Sequence, residues 1–293
     1  MTDITKEMPN TAPTGCLYLT ATPIGNLEDM TYRAVRTLKE ADSIAAEDTR
    51  NTRKLLSHFD IHTPLTSYHE HNKFTKGPEL VAKMQEGLHI AAVSDAGLPG
   101  ICDPGTHLAQ LAIAAGIKVT PIPGANAALS ALICSGLDTF SFTFIGFLPK
   151  TAKKRRELLS TLKQRPETLI FYETPYHLKN TLCELIDTFG AARKASTCRE
   201  LTKKFEEFQR SDLGTLQTYY NEHEPRGEFV IIVAGADENT PETQVQETTT
   251  PLAYVNNLIA EGMDKKEAMR QTAKALNISR RDVYQALLQA QKE

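Results

Sequence analysis

The run Leu17-Tyr18-Leu19-Thr20-Ala21-Thr22-Pro23-Ile24-Gly25-Asn26-Leu27-Glu28-Asp29 changes character halfway along. Apolar and β-favouring residues lead straight into a turn carrying Pro23 and Gly25, the kind that ends a buried strand. Helix signals follow at once, because Asp29 or Thr31 can cap and Ala34, Val35 and Leu38 recur at helical spacing. A strand, a tight turn and a helix predict the opening of a parallel α/β sheet, whose ligands sit at the carboxyl ends of its strands.

The same grammar recurs downstream. Residues 44–46 read as a short buried strand, and Thr49 or Asn51 opens a helix carrying Leu55 and Leu56. Residues 90–93 read as a central strand that turns sharply at Ser94-Asp95-Ala96-Gly97 into a loop stiffened by Pro99, Gly100, Pro104 and Gly105. Such a loop lets a ligand approach backbone closely while its shape is set in advance. A third unit ends at Ile122-Pro123-Gly124-Ala125 before a helix rich in small residues. Neither GxGxxG nor GxxxxGK[ST] is present, so neither a dinucleotide fingerprint nor a P-loop is indicated.

At 293 residues the chain exceeds one ordinary core. The expected organisation is a disordered tail (1–14), an α/β domain (15–149), a second α/β domain (150–236), a linker (237–250) and a helical module (251–293). The linker reading rests on acids and threonines without a basic residue. In the last segment, Asn277 stands at a tight turn and Ser279 caps the next helix, which is helix-turn-helix spacing with Arg280 and Arg281 at its start; a small helical packing unit without nucleic acid is the alternative. Second-domain strands are expected at 168–172, 194–199 and 227–234, with a hairpin near Phe205 and Phe208.

Composition narrows the function classes. The apolar runs are too short to span a membrane, and no secretory signal is evident. Five widely spaced cysteines with no CxxC point to buried thiols in a reducing cytoplasm rather than to disulfides or a metal. His69 and His71 flank Glu70 but lack a third ligand, so a loop is the better reading and no metal is expected. The net charge of −3 requires any RNA contact to be local. Lys153, Lys154, Arg155 and Arg156 form one basic run, either a solvated helix face or a phosphate contact. Glu47, Asp48, Arg50 and Arg53 gather at the end of a strand, more charge than a turn needs, although a solvated helix start explains part of it.

Residues 22–29, 46–53, 94–100, 122–127, 147–149, 171–175 and 227–230, taken in order, closely resemble the small-subunit ribosomal RNA 2′-O-methyltransferase I family, a branch of the tetrapyrrole methylase fold. The resemblance implies two α/β domains holding S-adenosylmethionine in a cleft, and a cytidine ribose in the decoding region of small-subunit (16S) rRNA as methyl acceptor. By position it assigns the cofactor to Pro23, Ile24, Gly25, Asn26 and Leu27, to Ser94, Asp95, Ala96, Gly97 and Leu98, and to Ile122, Pro123, Gly124 and Ala125. Tyr172 and Glu173 approach from the second domain. Ser94-Asp95-Ala96-Gly97 replaces the Gly-Asp-Pro of tetrapyrrole enzymes, which favours the RNA branch; Leu98 stands where that branch often has Thr. A homodimer and a cytoplasmic location accompany the resemblance.

Methyl transfer from a sulfonium needs an aligned nucleophile rather than a metal. A ribose hydroxyl is weak and profits from a base or a polarising cation. Glu47 and Asp48 are candidate proton acceptors, and Arg50 and Arg53 candidate partners for phosphate or the hydroxyl. Two other readings compete: a small-molecule C-methyltransferase of the same fold, and a non-catalytic RNA-binding assembly protein. The partner is small-subunit rRNA or an assembled small subunit.

Overall fold

The computed structural model describes residues 14–236, 251–260, 263–275 and 278–289. Two five-stranded sheets occupy the compact unit that ends at Ala236. The first contains β1 (Cys16–Thr20), β2 (Ser43–Ala46), β3 (Leu65–Ser67), β4 (Ile90–Val93) and β5 (Lys118–Ile122), ordered β3-β2-β4-β1-β5 and parallel throughout. Its central strands are apolar without alternation because both faces are covered. Helices α1 (Tyr32–Glu40) and α2 (Thr49–His58) supply one layer, where Leu38 and Leu56 meet Ile44 and Val93. Helices α3 (Lys73–Gln85) and α4 (Gly105–Ala114) supply the other, where Leu80, Met84 and Leu108 meet Leu17 and Ile90.

Side chains set where the helices start. Thr31 Oγ1 accepts from the Ala34 N–H at 3.1 Å and so begins α1, and Asp48 rather than Thr49 or Asn51 begins α2 by accepting from the Arg50 N–H at 2.8 Å. Winding reverses between β4 and β1, which places a crevice beyond their carboxyl ends.

The chain leaves this sheet earlier than the sequence suggested. Helix α5 (Ala127–Ser135) packs with Ala128, Ala131 and Leu132 against Ile170, Val230 and Ile232 of the second sheet. Strand β6 (Phe142–Phe147) pairs in parallel with β7 (Thr168–Glu173). The crossing therefore lies between Ile122 and Ala127, not at the expected 149/150 boundary. The basic run Lys153, Lys154, Arg155 and Arg156, just past that boundary, belongs to α6 (Ala152–Leu162), and its charge says nothing about where the backbone changes sheet.

The second sheet is mixed. Its order is β6-β7-β10-β8-β9, with β8 (Lys194–Arg199), β9 (Glu207–Asp212) and β10 (Phe229–Val233) antiparallel to their neighbours. Helices α6, α7 (Leu178–Phe189) and α8 (Leu213–Glu222) cover one face around Leu159, Leu182, Leu185 and Leu216, while α5 covers part of the other. Strand β6 carries a bulge between Phe144 and Gly146, where Gly146 has φ +73°.

A second unit contains α9 (Pro251–Ala260), α10 (Lys265–Ala275) and α11 (Arg280–Gln289) around Val255, Ala268, Val283 and Leu287. Ser279 and Asp282 cap α11 reciprocally, Ser279 Oγ accepting from the Asp282 N–H at 3.2 Å and donating to Asp282 Oδ2 at 2.7 Å. The expected turn at Asn277, the linker at 237–250 and all but the last residue of the expected tail lie outside the described residues. Cys16 and Cys198 are buried, whereas Cys102, Cys134 and Cys183 are exposed, contrary to the expectation that the thiols are uniformly interior. Among the described residues no helix is long and apolar enough to cross a membrane.

Candidate active site

Three turns meet at the carboxyl edge of the first sheet. The turn after β1 and the turn after β4 are clasped by a two-way backbone bridge, Thr22 N–H to Gly97 O at 2.9 Å and Gly97 N–H to Thr22 O at 3.1 Å. Thr22 Oγ1 also donates to Ser94 O at 3.3 Å. The turn after β5 joins through the Ala21 N–H to Ile122 O bond at 3.1 Å. Close approach here requires glycine: a Cβ on Gly124 would stand 2.8 Å from Ala21 Cβ, and Gly97, at φ +78°, lies against Ile24 and the Ala125 carbonyl.

A cavity of ≈300 Å³ opens beside these turns and is closed from the other side by the second sheet. From the first lobe come Ile24, Glu47, Ser94, Asp95, Ala96, Gly97 and Leu98, then Ile101, Cys102 and Asp103 from the loop before α4. Asn126 and Ala127 enter at the start of α5, where Asn126 Oδ1 caps the helix by accepting from the Leu129 N–H at 2.9 Å. From the second sheet come Phe147, Tyr172, Glu173, Cys198 and Val230, with Lys203 and Glu228 at the rim. Tyr172 is held edge-on between Phe144 and Phe147, with ring centres 5.0 and 5.6 Å away, and burial pushes its phenol pKa up.

Of the residues assigned to a cofactor by position, Ile24, Ser94, Asp95, Ala96, Gly97, Leu98, Tyr172 and Glu173 line the cavity. Pro23, Gly25, Asn26 and Leu27 and the residues Ile122, Pro123, Gly124 and Ala125 do not; they build the turns behind it. Gly25 lies under Lys203, whose Cγ an added Cβ would meet. The Glu173 carboxylate turns into its own lobe, accepting from Thr181 Oγ1 at 2.6 Å and the Thr174 N–H at 2.7 Å.

The acidic cluster divides in two. Glu47 faces the cavity, and its pKa is raised by burial first and then by the nearby carboxylates of Asp95 and Asp103. Asp48 instead caps α2 and pairs with Arg50 at 3.2 Å, contacts that pull its pKa down. Its backbone N–H donates to Asp95 Oδ1 at 3.1 Å, which ties the start of α2 to the cavity wall. Arg50 and Arg53 are exposed and lie outside the lining. Asp103 holds its loop by accepting from the N–H groups of Gly100 and Gly105 at 2.8 and 2.6 Å.

The basic run is equally divided. Arg155 is engaged bidentately by Glu184, both bonds at 2.7 Å with both partners largely buried, so it is a structural strut rather than an available cation. Lys153, Lys154 and Arg156 are exposed on α6, and Arg281 is exposed on α11; the Arg280 side chain lies outside the described residues. The His69 and His71 rings are 5.9 Å apart, and among the described residues no group of three His, Cys, Asp or Glu side chains could hold a metal.

Sequence reasoning missed Asp103, Asn126, Cys198 and Lys203. The signals were partial: Asp103-Pro104-Gly105 reads as a turn and Asn126 as a cap, yet neither says that a cavity lies beside it.

The paired two-lobe arrangement has close relatives. Residues 16–217 match the model of the Tetrapyrrole (Corrin/Porphyrin) Methylases. Two proteins named Ribosomal RNA small subunit methyltransferase I are similar along nearly their whole length: one from Halalkalibacterium halodurans, 54% identical over 92% of this chain and 93% of that protein, and one from Bacillus subtilis, 47% identical over 93% and 94%. The chain belongs to the ribosomal RNA small subunit methyltransferase I family. Members of that family share their fold with tetrapyrrole methylases, as a solved structure shows. Uroporphyrin-III C-methyl transferase from Thermus thermophilus, complexed with S-adenyl homocysteine, superposes with a TM-score of 0.53 at 18% identity, covering 75% of this chain and 97% of that one.

Proposed function

We propose that this protein transfers the methyl group of S-adenosylmethionine to the 2′-hydroxyl of a cytidine ribose in the decoding region of small-subunit (16S) rRNA. Methyl transfer to ribosomal RNA follows from family membership; the cofactor, the atom and the nucleotide are the further reading. The observation that carries the cofactor is the convergence of the turns at Ile24, residues 94–98 and Asn126 on one cavity faced by Tyr172 and Val230. Its ≈300 Å³ and its apolar walls suit a nucleoside-sized ligand. The carboxylates of Glu47, Asp95 and Glu228 suit a ligand that carries a sulfonium and an ammonium. Ile24, Leu98, Ala127 and Val230 would hold its apolar surfaces, and Asp95 its cationic end.

When bound, the cofactor supplies an electrophilic methyl group. A ribose hydroxyl accepting that methyl would have to give up its proton to a base of this chain. Glu47 is the better of the two candidate bases, since its carboxylate faces the cavity with a raised pKa while that of Asp48 is engaged by Arg50 and the start of α2. A homodimer is part of the proposal: Leu129 and Ile133, one turn apart on α5, and Phe140 and Phe142 at the start of β6 are large apolar side chains left exposed. The deciding experiment incubates the protein with labelled S-adenosylmethionine and unmethylated small subunits and maps the labelled nucleotide. Label at one cytidine ribose is expected. Label on a base, or on a tetrapyrrole precursor instead of RNA, would overturn the reading.

A further inference from the structure

The cations of the first sheet are distributed unevenly over its two faces. On α3, Lys73 is paired with Glu70 and Lys76 with Glu79, each at 2.6 Å, which leaves Lys83 as the cation of that helix without an ion pair among the described residues. On the α1 and α2 face, Arg33, Arg36, Lys39, Arg53 and Lys54 are all exposed and make no ion pair among the described residues. The acid on those two helices is Glu40, at the far end of α1. Five cations against one carboxylate give this face a local positive potential, which attracts a polyanion although the chain as a whole is slightly acidic.

Aromatic surface accompanies the charge. Tyr32 is 99% exposed, at the first position of α1. It borders a groove of ≈470 Å³ lined also by Met30, Val35, Arg36, Lys39, Phe59 and, at its far end, Glu40. Ring faces beside arginines and lysines form the pairing that single-stranded nucleic acid uses, bases stacking while phosphates meet cations. Tyr32 differs from a singly exposed ring in standing beside Arg33 and Arg36 and at the edge of a groove.

The face begins at the cavity. Thr31, the cap of α1, lies 3.9 Å from the position of a Cβ on Gly124, in the turn that leads to Asn126 of the cavity wall. Asp48, the cap of α2, is hydrogen-bonded through its N–H to Asp95 of that wall. Both helices thus start at the site and run away from it.

We infer that the α1 and α2 face is the track for a single-stranded segment of the substrate RNA, with phosphates on Arg33, Arg36 and Arg53 and a base stacked on Tyr32 beside the groove. The inference rests on the proposed RNA reading and goes beyond it by placing the strand on the first lobe, away from the basic run of α6. The helix α1 spans about 13 Å at ~1.5 Å per residue, enough for two or three successive phosphates.

The full-length chain is titrated with unmethylated small-subunit rRNA over a range of salt, alongside calorimetry with S-adenosylhomocysteine as a check that the cavity is intact. Arg33→Ala/Arg36→Ala is expected to weaken RNA binding at least tenfold and to flatten the slope of log K against log salt by about 1.4, at ~0.7 for each phosphate left without its arginine. Tyr32→Ala is expected to weaken binding on the order of tenfold with the slope unchanged. Arg33→Lys/Arg36→Lys should restore the slope, and S-adenosylhomocysteine affinity should stay at the parental value in all of them. Parental affinity and slope in both alanine variants, or a loss confined to Lys153→Ala/Lys154→Ala, would overturn the track while leaving the RNA reading intact. A parental chain that does not bind the rRNA at all would overturn both, and that failure is visible before any variant is made.

Discussion

The two lobes contribute to one cavity by different means. The first offers backbone: turns after β1, β4 and β5, clasped to one another, with no room for a Cβ at Gly124 and a left-handed backbone at Gly97. The second offers side chains standing on a sheet, chiefly Tyr172, Cys198 and Val230. A parallel sheet can do the former because all its strands end on one edge. A mixed sheet scatters its strand ends to both edges, so what it can present collectively is a face. Damage to the first lobe's share should therefore act through the course of the chain, and damage to the second through the shape of single side chains.

Glu47 provides the largest expected effect, since it is the point where first-lobe backbone delivers a reactive group. Glu47→Gln should lower the single-turnover rate by about 10²-fold while S-adenosylhomocysteine binding, measured by calorimetry, changes little. Because the folded-state pKa of Glu47 is raised, the stability it contributes is present below its unfolded pKa and is lost as pH rises through the folded value. The glutamine variant should accordingly melt higher than the parent at neutral pH. In the parent the rate should fall with decreasing pH above the range where an ordinary glutamate titrates. A flat rate profile there, or near-parental turnover in the variant, would remove Glu47 from the chemistry.

Gly97→Ala comes next and tests the backbone half of the contrast directly. A non-glycine residue at φ +78° costs about 1–3 kcal/mol, and the added methyl lies 3.3 Å from Ile24 Cγ2. Cofactor affinity should drop about tenfold or more, at ~1.4 kcal/mol per decade. Tyr172→Phe should be milder, a few-fold, because the ring and its contacts with Phe144 and Phe147 remain. If the phenylalanine variant were crippled and the alanine at 97 harmless, the division between backbone and side-chain lobes would be wrong. The smallest effect belongs to Arg155→Ala: it should cost about 1–3 kcal/mol of stability through loss of the Glu184 pair, seen as a lowered melting temperature, with unchanged salt dependence of RNA binding.

Much of the first lobe was legible because its signals are local. An apolar run, a turn with glycine and a capped helix all lie within about a dozen residues of one another, and β4 begins and ends where the pattern puts it, as β8 does in the second lobe. The lobe boundary was not legible, because nothing near Ile122 announces that α5 will pack on β7, β8 and β10, strands that begin 40 or more residues further along, at Thr168 and beyond. The same holds for Cys198 and Lys203. Alternation along β8 tells inside from outside but not which inside faces the partner lobe. Glu47 and Asp48, adjacent in the chain, were separable only by their environments, one in the cavity wall and the other engaged by Arg50.

The bulge in β6 has a consequence for parity. In an even pleat, residues three apart point to opposite sides. The register pairs Phe144 with Ile170 and Phe147 with Tyr172, so Ile145 is the uncounted residue and both phenylalanines come out on Tyr172's side. The aromatic wall of the site thus depends on an odd number: removing one residue from this strand would turn Phe144 away from Tyr172 while leaving the composition of the strand almost untouched.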